Sequence, residues 1–346
     1  MVRNILTLLA SLALTFLALE GVYRGYQAVT YGRPFFAGAA ANGNDPTGAA
    51  VVGHPLLHYV PNPALPDVDE NYFRTTGAPP SAAVRVVGLG GSTTFDSGVS
   101  AEDSYLLLLQ QQLRRGGVDA QVVNGGAISY RLAHVTARYV HQVRQMLRPG
   151  DWLVIDVGYN DTLLYAGRVS PERAYGDFMK VMDAQPGFWR NFRILNWMRA
   201  RLDAVLCLQA GEGWFDGHLN SAAFRGHCGP VPALSVDRAA AQRYLDNLRF
   251  LIRMAQQDGV RPILLIQDYN PALERTFVPV LEPMRRHFAN VGRSAGAIVI
   301  DTRTYTGGRP ALFVDQIHMN RQGNQLRAAA VAEAIGRERQ AVSPSR

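Results

Sequence analysis

Beyond Pro80 the chain alternates short apolar runs with longer stretches whose apolar residues recur at helical spacing. The runs predict five strands, and the stretches between them predict helices. Strands that alternate with helices form a parallel sheet, so the order predicts a three-layer α/β/α domain with a doubly wound sheet over residues 81–340. A long, mostly helical insertion is expected over about residues 163–235. The strand sequences are VRVVGL, AQVVNGG, DWLVIDVG, RPILLIQ and GAIVID.

The first 28 residues follow a different pattern. Residues 5–19, ILTLLASLALTFLAL, are uncharged and mostly apolar, and they follow Arg3. Their length fits both a signal peptide and a short membrane span. Small residues suited to signal cleavage are missing directly after the run. We therefore expect an uncleaved, single-pass anchor in the inner membrane, with the rest of the chain on the extracytoplasmic side; secretion after cleavage is the alternative.

Residues 29–80 are rich in glycine, alanine, asparagine, aspartate and proline, which favour turns over regular elements. This composition predicts a tether between the anchor and the domain. Two stretches, HPLLHYVPNP and NYFRTTG, carry aromatic and apolar residues that a linker does not need. We expect them to pack on the surface of the domain.

Composition and charge narrow the class of protein. Of the 346 residues, 47% are hydrophobic and 18% are charged, as in an ordinary globular enzyme. The formal net charge is +7, yet the arginines are scattered along the chain. A basic stripe with interleaved aromatic residues is missing, which argues against a nucleic-acid partner.

The first predicted strand ends in a glycine-rich turn that presents Ser92. A Walker phosphate-binding loop requires a lysine before its serine, and this turn has none. A dinucleotide-binding turn requires a third glycine and an acidic residue after the second strand, where the chain has Asn124. The remaining interpretations are a nucleophilic serine and a purely structural turn with Ser92 as a helix cap.

The loop before the last helix carries Asp315 three residues ahead of His318. A serine hydroxyl is a weak nucleophile that needs an imidazole to take its proton, and the imidazole needs a carboxylate to orient it. Ser92, His318 and Asp315 supply these three groups. A structural alternative is that His318 caps the last helix.

An ester hydrolase also needs hydrogen-bond donors for the oxyanion of its tetrahedral intermediate. The candidates are the backbone amides of Ser92 and Gly126 and the side-chain amide of Asn160, all at predicted strand ends. Asn160 and the residue after it also suit an ordinary turn or helix cap.

Four sequence blocks resemble those of the SGNH (GDSL-type) hydrolases in order and spacing, over roughly residues 85–334. The blocks are GGST at 90–93, the glycine that follows VVNG at 126, GYND at 158–161 and DQIH at 315–318. Gly91 stands where the GDS motif has its aspartate. The anchor and the NYFR segment also resemble exported bacterial members of the superfamily.

This resemblance implies a flavodoxin-like fold and acyl transfer from an ester without a metal or organic cofactor. It implies that Ser92 is the nucleophile, His318 the general base and Asp315 its orienting acid. The oxyanion donors would be Gly126, Asn160 and the Ser92 amide.

The exported members suggest an acylated, chiefly acetylated, envelope or extracellular carbohydrate as substrate, with another ester as a wider option. Polysaccharide-synthesis or export machinery is a candidate partner. The alternatives are a polysaccharide O-acetyltransferase and a non-catalytic, membrane-tethered subunit that binds glycans or assists assembly.

The predicted insertion contains both cysteines of the chain, Cys207 and Cys228. In an oxidising compartment such a pair suggests a disulfide. A zinc site with His218 and His227 is the alternative, but adjacent His227 and Cys228 lack the usual ligand spacing. The aromatic and basic stretch at 186–202 predicts an amphipathic helix packed on the domain; a lid or a surface for lipid or glycan is the alternative.

Overall fold

The structure is a computed structural model that describes residues 2–31, 51–74, 82–170 and 234–342. The chain divides into two compact units. The first contains Met1–Ala50 and Gly176–Pro232, and the second contains Val51–Tyr175 and Ala233–Arg346. Both cysteines, the zinc alternative and the stretch at 186–202 lie outside the described residues.

The described part of the first unit is one long helix. Helix α1 covers Val2–Tyr31 and contains the uncharged run found in the sequence. Among the helices of the described ranges, none combines the length and the apolar character that crossing a membrane requires.

The second unit is built on a five-stranded parallel sheet, which confirms the predicted fold class. The strands are β3 (Val84–Gly90), β4 (Ala120–Gly126), β5 (Trp152–Asp156), β6 (Arg261–Ile266) and β7 (Ile298–Asp301). Their order in the sheet, β4-β3-β5-β6-β7, is that of a flavodoxin-like sheet, because the chain first adds a strand on one side of β3 and then the others on its other side.

Helices cover both faces of this sheet, as strands with mostly buried, apolar residues on both faces require. They are α2 (Ser92–Phe95), α3 (Tyr105–Arg115), α4 (Leu132–Arg138), α5 (Thr162–Tyr165), α6 (Arg238–Gln257), α7 (Val278–Ser294), α8 (Thr302–Thr306) and α9 (Arg321–Val342). On one face, α3 and α9 bury Leu106, Leu109 and Val331 in a cluster with the sheet. On the other, Tyr244 of α6 stacks on Phe288 of α7 with ring centroids 5.5 Å apart.

Residues 51–74 belong to the second unit, and they include the stretch HPLLHYVPNP and the first residues of NYFRTTG, which the sequence predicts to pack on the domain. An antiparallel hairpin of β1 (Val51–His54) and β2 (His58–Pro61) begins the segment. Tyr59 is fully buried and its hydroxyl donates to the carbonyl of Ile128, while Arg74 at the other end is 4% exposed. The compact unit therefore starts before the predicted boundary at residue 81, because these side chains are part of its packed interior.

Candidate active site

Ser92 lies where strand β3 turns into helix α2, at the carboxyl edge of the sheet. In the sheet register Gly90 pairs with Gly126 of β4 and with Asp156 of β5. A Cβ atom on Gly90 would overlap the carbonyl oxygen of Asp156 and the hydroxyl of Thr94. Glycine at this position therefore lets the end of β3 lie directly against Asp156 and Thr94.

Ser92, His318 and Asp315 form one hydrogen-bonded chain. The Nε2 atom of His318 lies 2.8 Å from the Oγ atom of Ser92, and its Nδ1 atom lies 2.7 Å from Oδ2 of Asp315. The other carboxylate oxygen of Asp315 accepts the backbone N–H groups of Ile317 at 2.9 Å and of His318 at 2.8 Å. The structure thus brings these three predicted residues together in the order that nucleophilic catalysis requires.

The electrostatics of Asp315 favour its charged form. Partial burial raises the pKa of this carboxyl, but hydrogen bonds and charge from His318 and the N–H groups of the loop outweigh it, and the net pKa is below the ordinary value. An ionised carboxylate can only accept hydrogen bonds, so the Nδ1 atom of His318 carries the hydrogen that binds it. The Nε2 atom is then an acceptor for the hydroxyl of Ser92.

Asn270 holds the loop that carries this pair, a role that its sequence context does not indicate. Its backbone N–H donates to the carbonyl of Gln316 at 2.8 Å, and its side-chain amide donates to the carbonyl of Asp315 at 3.3 Å. Within the loop, the N–H of Val314 donates to the carbonyl of His318 at 2.9 Å. The loop after β6 therefore braces the Asp315–His318 loop from the side.

Asn160 lies against the glycine that precedes the serine. Its Nδ2 atom donates to the carbonyl of Tyr130 at 3.0 Å, and a Cβ atom on Gly91 would lie only 2.6 Å from that Nδ2 atom. A primary amide has two hydrogens, so one remains for a second acceptor. Glycine in place of the GDS aspartate leaves the space that the amide occupies.

Gly126 is placed differently from the other candidate donors. Its N–H donates to the side-chain oxygen of Asn124 at 3.0 Å, so the single amide hydrogen is already bonded within the protein. A Cβ atom on Gly126 would overlap the backbone N of Phe95, which shows that β4 and α2 are in direct contact here. In this structure Gly126 serves close packing beneath the nucleophile turn.

A buried ionic group supports the turn from below. Asp156 accepts hydrogen bonds from the hydroxyls of Thr94 at 2.7 Å and Thr93 at 3.2 Å, and from Nη2 of Arg327 at 2.6 Å. The Nη1 atom of Arg327 also donates to the carbonyl of Thr93 at 2.9 Å. Sequence reasoning did not find these residues; an aspartate that ends an otherwise apolar strand was the available signal.

The sequence of the chain matches that of a known protein family. The GDSL-like lipase/acylhydrolase family matches residues 89–326. The chain belongs to this family. It is therefore a hydrolase of the GDSL, or SGNH, type. None of the curated proteins matches it.

Several solved structures are similar to this GDSL hydrolase. One is the acetylxylan esterase Axe2 from Geobacillus stearothermophilus, with 16% identity, 74% of this chain and 95% of that chain covered, and a TM-score of 0.46. A lipolytic G-D-S-L protein from Veillonella parvula DSM 2008 has 12% identity, coverage of 74% and 100%, and a TM-score of 0.46. The α/β hydrolase LAE5 from the metagenome of Lake Arreo, Spain, has 19% identity, coverage of 75% and 97%, and a TM-score of 0.45.

Proposed function

We propose that this protein is a serine esterase that removes O-acyl groups, chiefly O-acetyl groups, from an envelope or extracellular carbohydrate. The observation that carries the proposal is the hydrogen-bonded chain from the Ser92 hydroxyl through His318 to Asp315. A hydroxyl bonded to a neutral imidazole nitrogen can lose its proton as it attacks a carbonyl carbon.

In the first half-reaction Ser92 Oγ attacks the ester carbonyl while its proton moves to Nε2 of His318. Asp315 stabilises the imidazolium through the Nδ1 hydrogen bond. When the tetrahedral intermediate collapses, His318 returns the proton to the departing alcohol and the acyl group stays on Ser92.

The oxyanion needs donors on the side of Ser92 away from the histidine. The backbone N–H of Ser92 is in the first turn of α2, where amide hydrogens have no acceptor within the helix. The second hydrogen of the Asn160 amide is the other donor that we assign, because that amide lies against Gly91. The hydrogen bonds from both donors become stronger as negative charge develops on the carbonyl oxygen of the substrate.

In the second half-reaction water attacks the acyl-enzyme and His318 again serves as the base. A carbohydrate hydroxyl in place of water would give acyl transfer, so esterase and O-acetyltransferase share every step except the identity of this acceptor. The Asp315–His318–Ser92 chain fits both.

The cellular location is part of the proposal. We propose that the enzyme lies at the inner membrane and faces the envelope. This location is inferred from the uncharged run at residues 5–19, which follows Arg3. Membrane fractionation and protease accessibility of the full-length chain in cells test it. Recovery of the protein in the cytoplasmic fraction would contradict this part alone.

Hydrolysis of p-nitrophenyl esters by the purified full-length protein tests the reaction. We expect turnover of the acetate ester by the wild type and its loss in Ser92→Ala. Ser97→Ala is a matched control, since Ser97 lies on the same turn and, of these two serines, it is Ser92 whose hydroxyl bonds to His318. Equal turnover by Ser92→Ala and Ser97→Ala would rule out the serine mechanism.

Acetate release from an acetylated polysaccharide, compared with hydrolysis of p-nitrophenyl octanoate, tests the substrate class. Preference for the acetylated polysaccharide supports the proposal. Preference for the octanoyl ester would contradict the proposed substrate class and indicate a lipase.

A further inference from the structure

Arg74 connects the segment before the hydrolase domain to the turn that carries the nucleophile. Its side chain is 4% exposed, and its guanidinium donates to the backbone carbonyls of Phe95, Asp96 and Val99. The bonds to Asp96 and Val99 are each 2.9 Å long. The guanidinium carbon also lies 4.8 Å from the centre of the Phe95 ring. One buried cation thus binds three carbonyls, at the last residue of α2 and in the turn that follows it.

These carbonyls belong to the same turn that holds Ser92. The N–H of Asp96 caps α2 by donating to the carbonyl of Ser92, and the N–H of Ser97 donates to the same oxygen at 3.2 Å. Asp96 has φ of 60°, a left-handed conformation that a residue with a side chain keeps only when its surroundings hold it. A group that binds the carbonyls of this turn therefore fixes the main chain of Ser92.

The position of Arg74 is itself fixed. Its Nε atom lies 2.7 Å from a carboxylate oxygen of Asp67, and its backbone N–H donates to the carbonyl of Asn124 in β4 at 3.0 Å. Nearby, Arg138 donates to the carbonyls of Tyr72 at 2.6 Å and Gly125 at 3.1 Å. Residues 67–74 are thereby bound to the end of β4, and the guanidinium is held in place before a substrate arrives.

The segment precedes the part of the chain that the family model matches. The family match begins at residue 89, and Arg74 precedes it. The matched part contains the nucleophile and the general base, so Arg74 contacts the site from outside the matched residues.

We propose that Arg74 is a positioning residue of the active site, which holds the turn after Ser92 so that the serine hydroxyl stays aligned with His318. This inference rests on the proposed serine mechanism for its effect on catalysis. The effect of Arg74 on the conformation of the turn does not depend on that mechanism. A positively charged group bound to carbonyls at the carboxyl end of a helix is a favourable arrangement.

The test compares Arg74→Met with Arg85→Met in the full-length chain. Arg85 is in β3, the strand that leads to the nucleophile, but at its amino end, where it donates to the side-chain oxygen of Gln121 at 2.8 Å and to the carbonyl of Met146. Both variants remove a guanidinium that binds a backbone carbonyl. Arg74→Lys is the second Arg74 variant, because it keeps the charge and loses the three-carbonyl geometry.

Two readouts are taken on equal amounts of folded protein. Hydrogen–deuterium exchange of the peptide that spans residues 92–99 reports on the turn, and steady-state hydrolysis of p-nitrophenyl acetate gives kcat and KM. We expect faster exchange in Arg74→Met than in Arg85→Met and a fall in kcat of about 100-fold, the effect of displacing a reacting group by about 1 Å. KM should stay within about threefold, since the substrate contacts remain. Arg74→Lys should be intermediate.

The outcomes separate this inference from the proposed function. Exchange and kcat in Arg74→Met equal to those in Arg85→Met would overturn the role of Arg74, whatever the wild-type enzyme does. If Arg74→Met fails to fold, the same comparison is decided with Arg74→Lys. A wild type that turns over no ester contradicts the serine mechanism, while the exchange comparison still decides whether Arg74 holds the turn.

Discussion

The Nε2 atom of His318 lies 2.8 Å from the Oγ atom of Ser92, although 226 positions separate the two residues in the sequence. The contact forms because Ser92 begins the helix after the first strand of the sheet, while His318 lies in the loop before the last helix. Both loops are at the carboxyl edge of the parallel sheet, where α/β proteins place their sites. The consequences for catalysis and stability can be tested one residue at a time.

Asp315→Asn should impair catalysis without removing the nucleophile. An asparagine presents an N–H group or a weaker acceptor to Nδ1 of His318, so the favoured tautomer of the imidazole changes. We expect kcat for p-nitrophenyl acetate to fall, by up to about 10⁴-fold. Gln316→Asn, one position along the same loop, is the control. A kcat within the range of that control would show that Asp315 does not orient the histidine.

Gly91→Ala tests the placement of Asn160. The new Cβ atom would lie 2.6 Å from Nδ2 of Asn160 and 3.1 Å from the carbonyl of Tyr130, so the amide must move. If Asn160 is an oxyanion donor, Asn160→Ala lowers kcat by about 100- to 1000-fold. Gly91→Ala should also lower kcat, because the displaced Asn160 amide no longer donates to the oxyanion.

A double-variant cycle separates this effect from general damage. Combining Gly91→Ala with Asn160→Ala should lower kcat little beyond Asn160→Ala alone, because the amide can be lost only once. Gly53→Ala serves as the control, since no atom lies within 4 Å of a Cβ atom built there. Independent, multiplicative effects of the two substitutions would contradict the assignment.

Arg327→Met should destabilise the fold. The side chains of Arg327 and Asp156 are 4% and 0% exposed, and removal of the arginine leaves the buried carboxylate without its charged partner. The free energy of unfolding should fall by about 3–5 kcal/mol. Urea denaturation followed by circular dichroism measures it.

Arg249→Met is the matched control for that experiment. Arg249 pairs with Asp246 at 2.5 Å on the outside of α6, where both side chains are in contact with water. Loss of this exposed pair should cost about 1 kcal/mol or less. Equal losses of stability in the two variants would show that the Asp156–Arg327 pair does not stabilise the fold as a buried pair.

His134 should make stability depend on pH. Burial, with the charges of Arg131 and His58, lowers the pKa of His134 to about 3, and its Nδ1 atom accepts the N–H of Arg131 at 3.3 Å. The unfolded chain binds a proton at this histidine below about pH 6.5, while the folded protein does not. The contribution of neutral His134 to the free energy of unfolding is therefore complete above pH 6.5. It declines as the pH falls toward 3, at up to about 1.4 kcal/mol per pH unit.

Urea unfolding at pH 5, 6 and 7 measures this dependence. His134→Gln keeps an acceptor for the Arg131 amide and removes the titrating ring, so its stability should change less steeply over the same range than that of the wild type. Parallel slopes in the two proteins would mean that His134 does not contribute to the pH dependence.

The sequence predicted the elements whose signals are local. Five apolar strands in alternation with helices specify the sheet, and the serine at a strand end with an aspartate three residues before a histidine specifies the candidate chemistry. The predicted and observed strands agree closely: RPILLIQ was expected as a strand, and β6 covers Arg261–Ile266.

What the sequence did not show depends on contacts between distant residues. Arg327 meets Asp156 across 171 positions, and nothing near either residue announces the pair. The stretches HPLLHYVPNP and NYFRTTG were expected to lie on the surface of the domain, and only the folded chain shows that Tyr59 and Arg74 are buried inside it. The oxyanion role of Gly126 stays a prediction from its motif, and the hydrogen bond from its N–H to the side chain of Asn124 depends on side-chain geometry that the motif does not show.

The first measurement to make is the reaction of the purified full-length protein with a fluorophosphonate probe, with the modified residue located by peptide mass spectrometry. A serine activated by His318 and Asp315 should be modified at Ser92 in the wild type, while Ser92→Ala should take up no probe and His318→Ala should react far more slowly. A folded wild-type protein that stays unmodified, or one modified equally fast in His318→Ala, would contradict the serine mechanism and favour a non-catalytic, glycan-binding role.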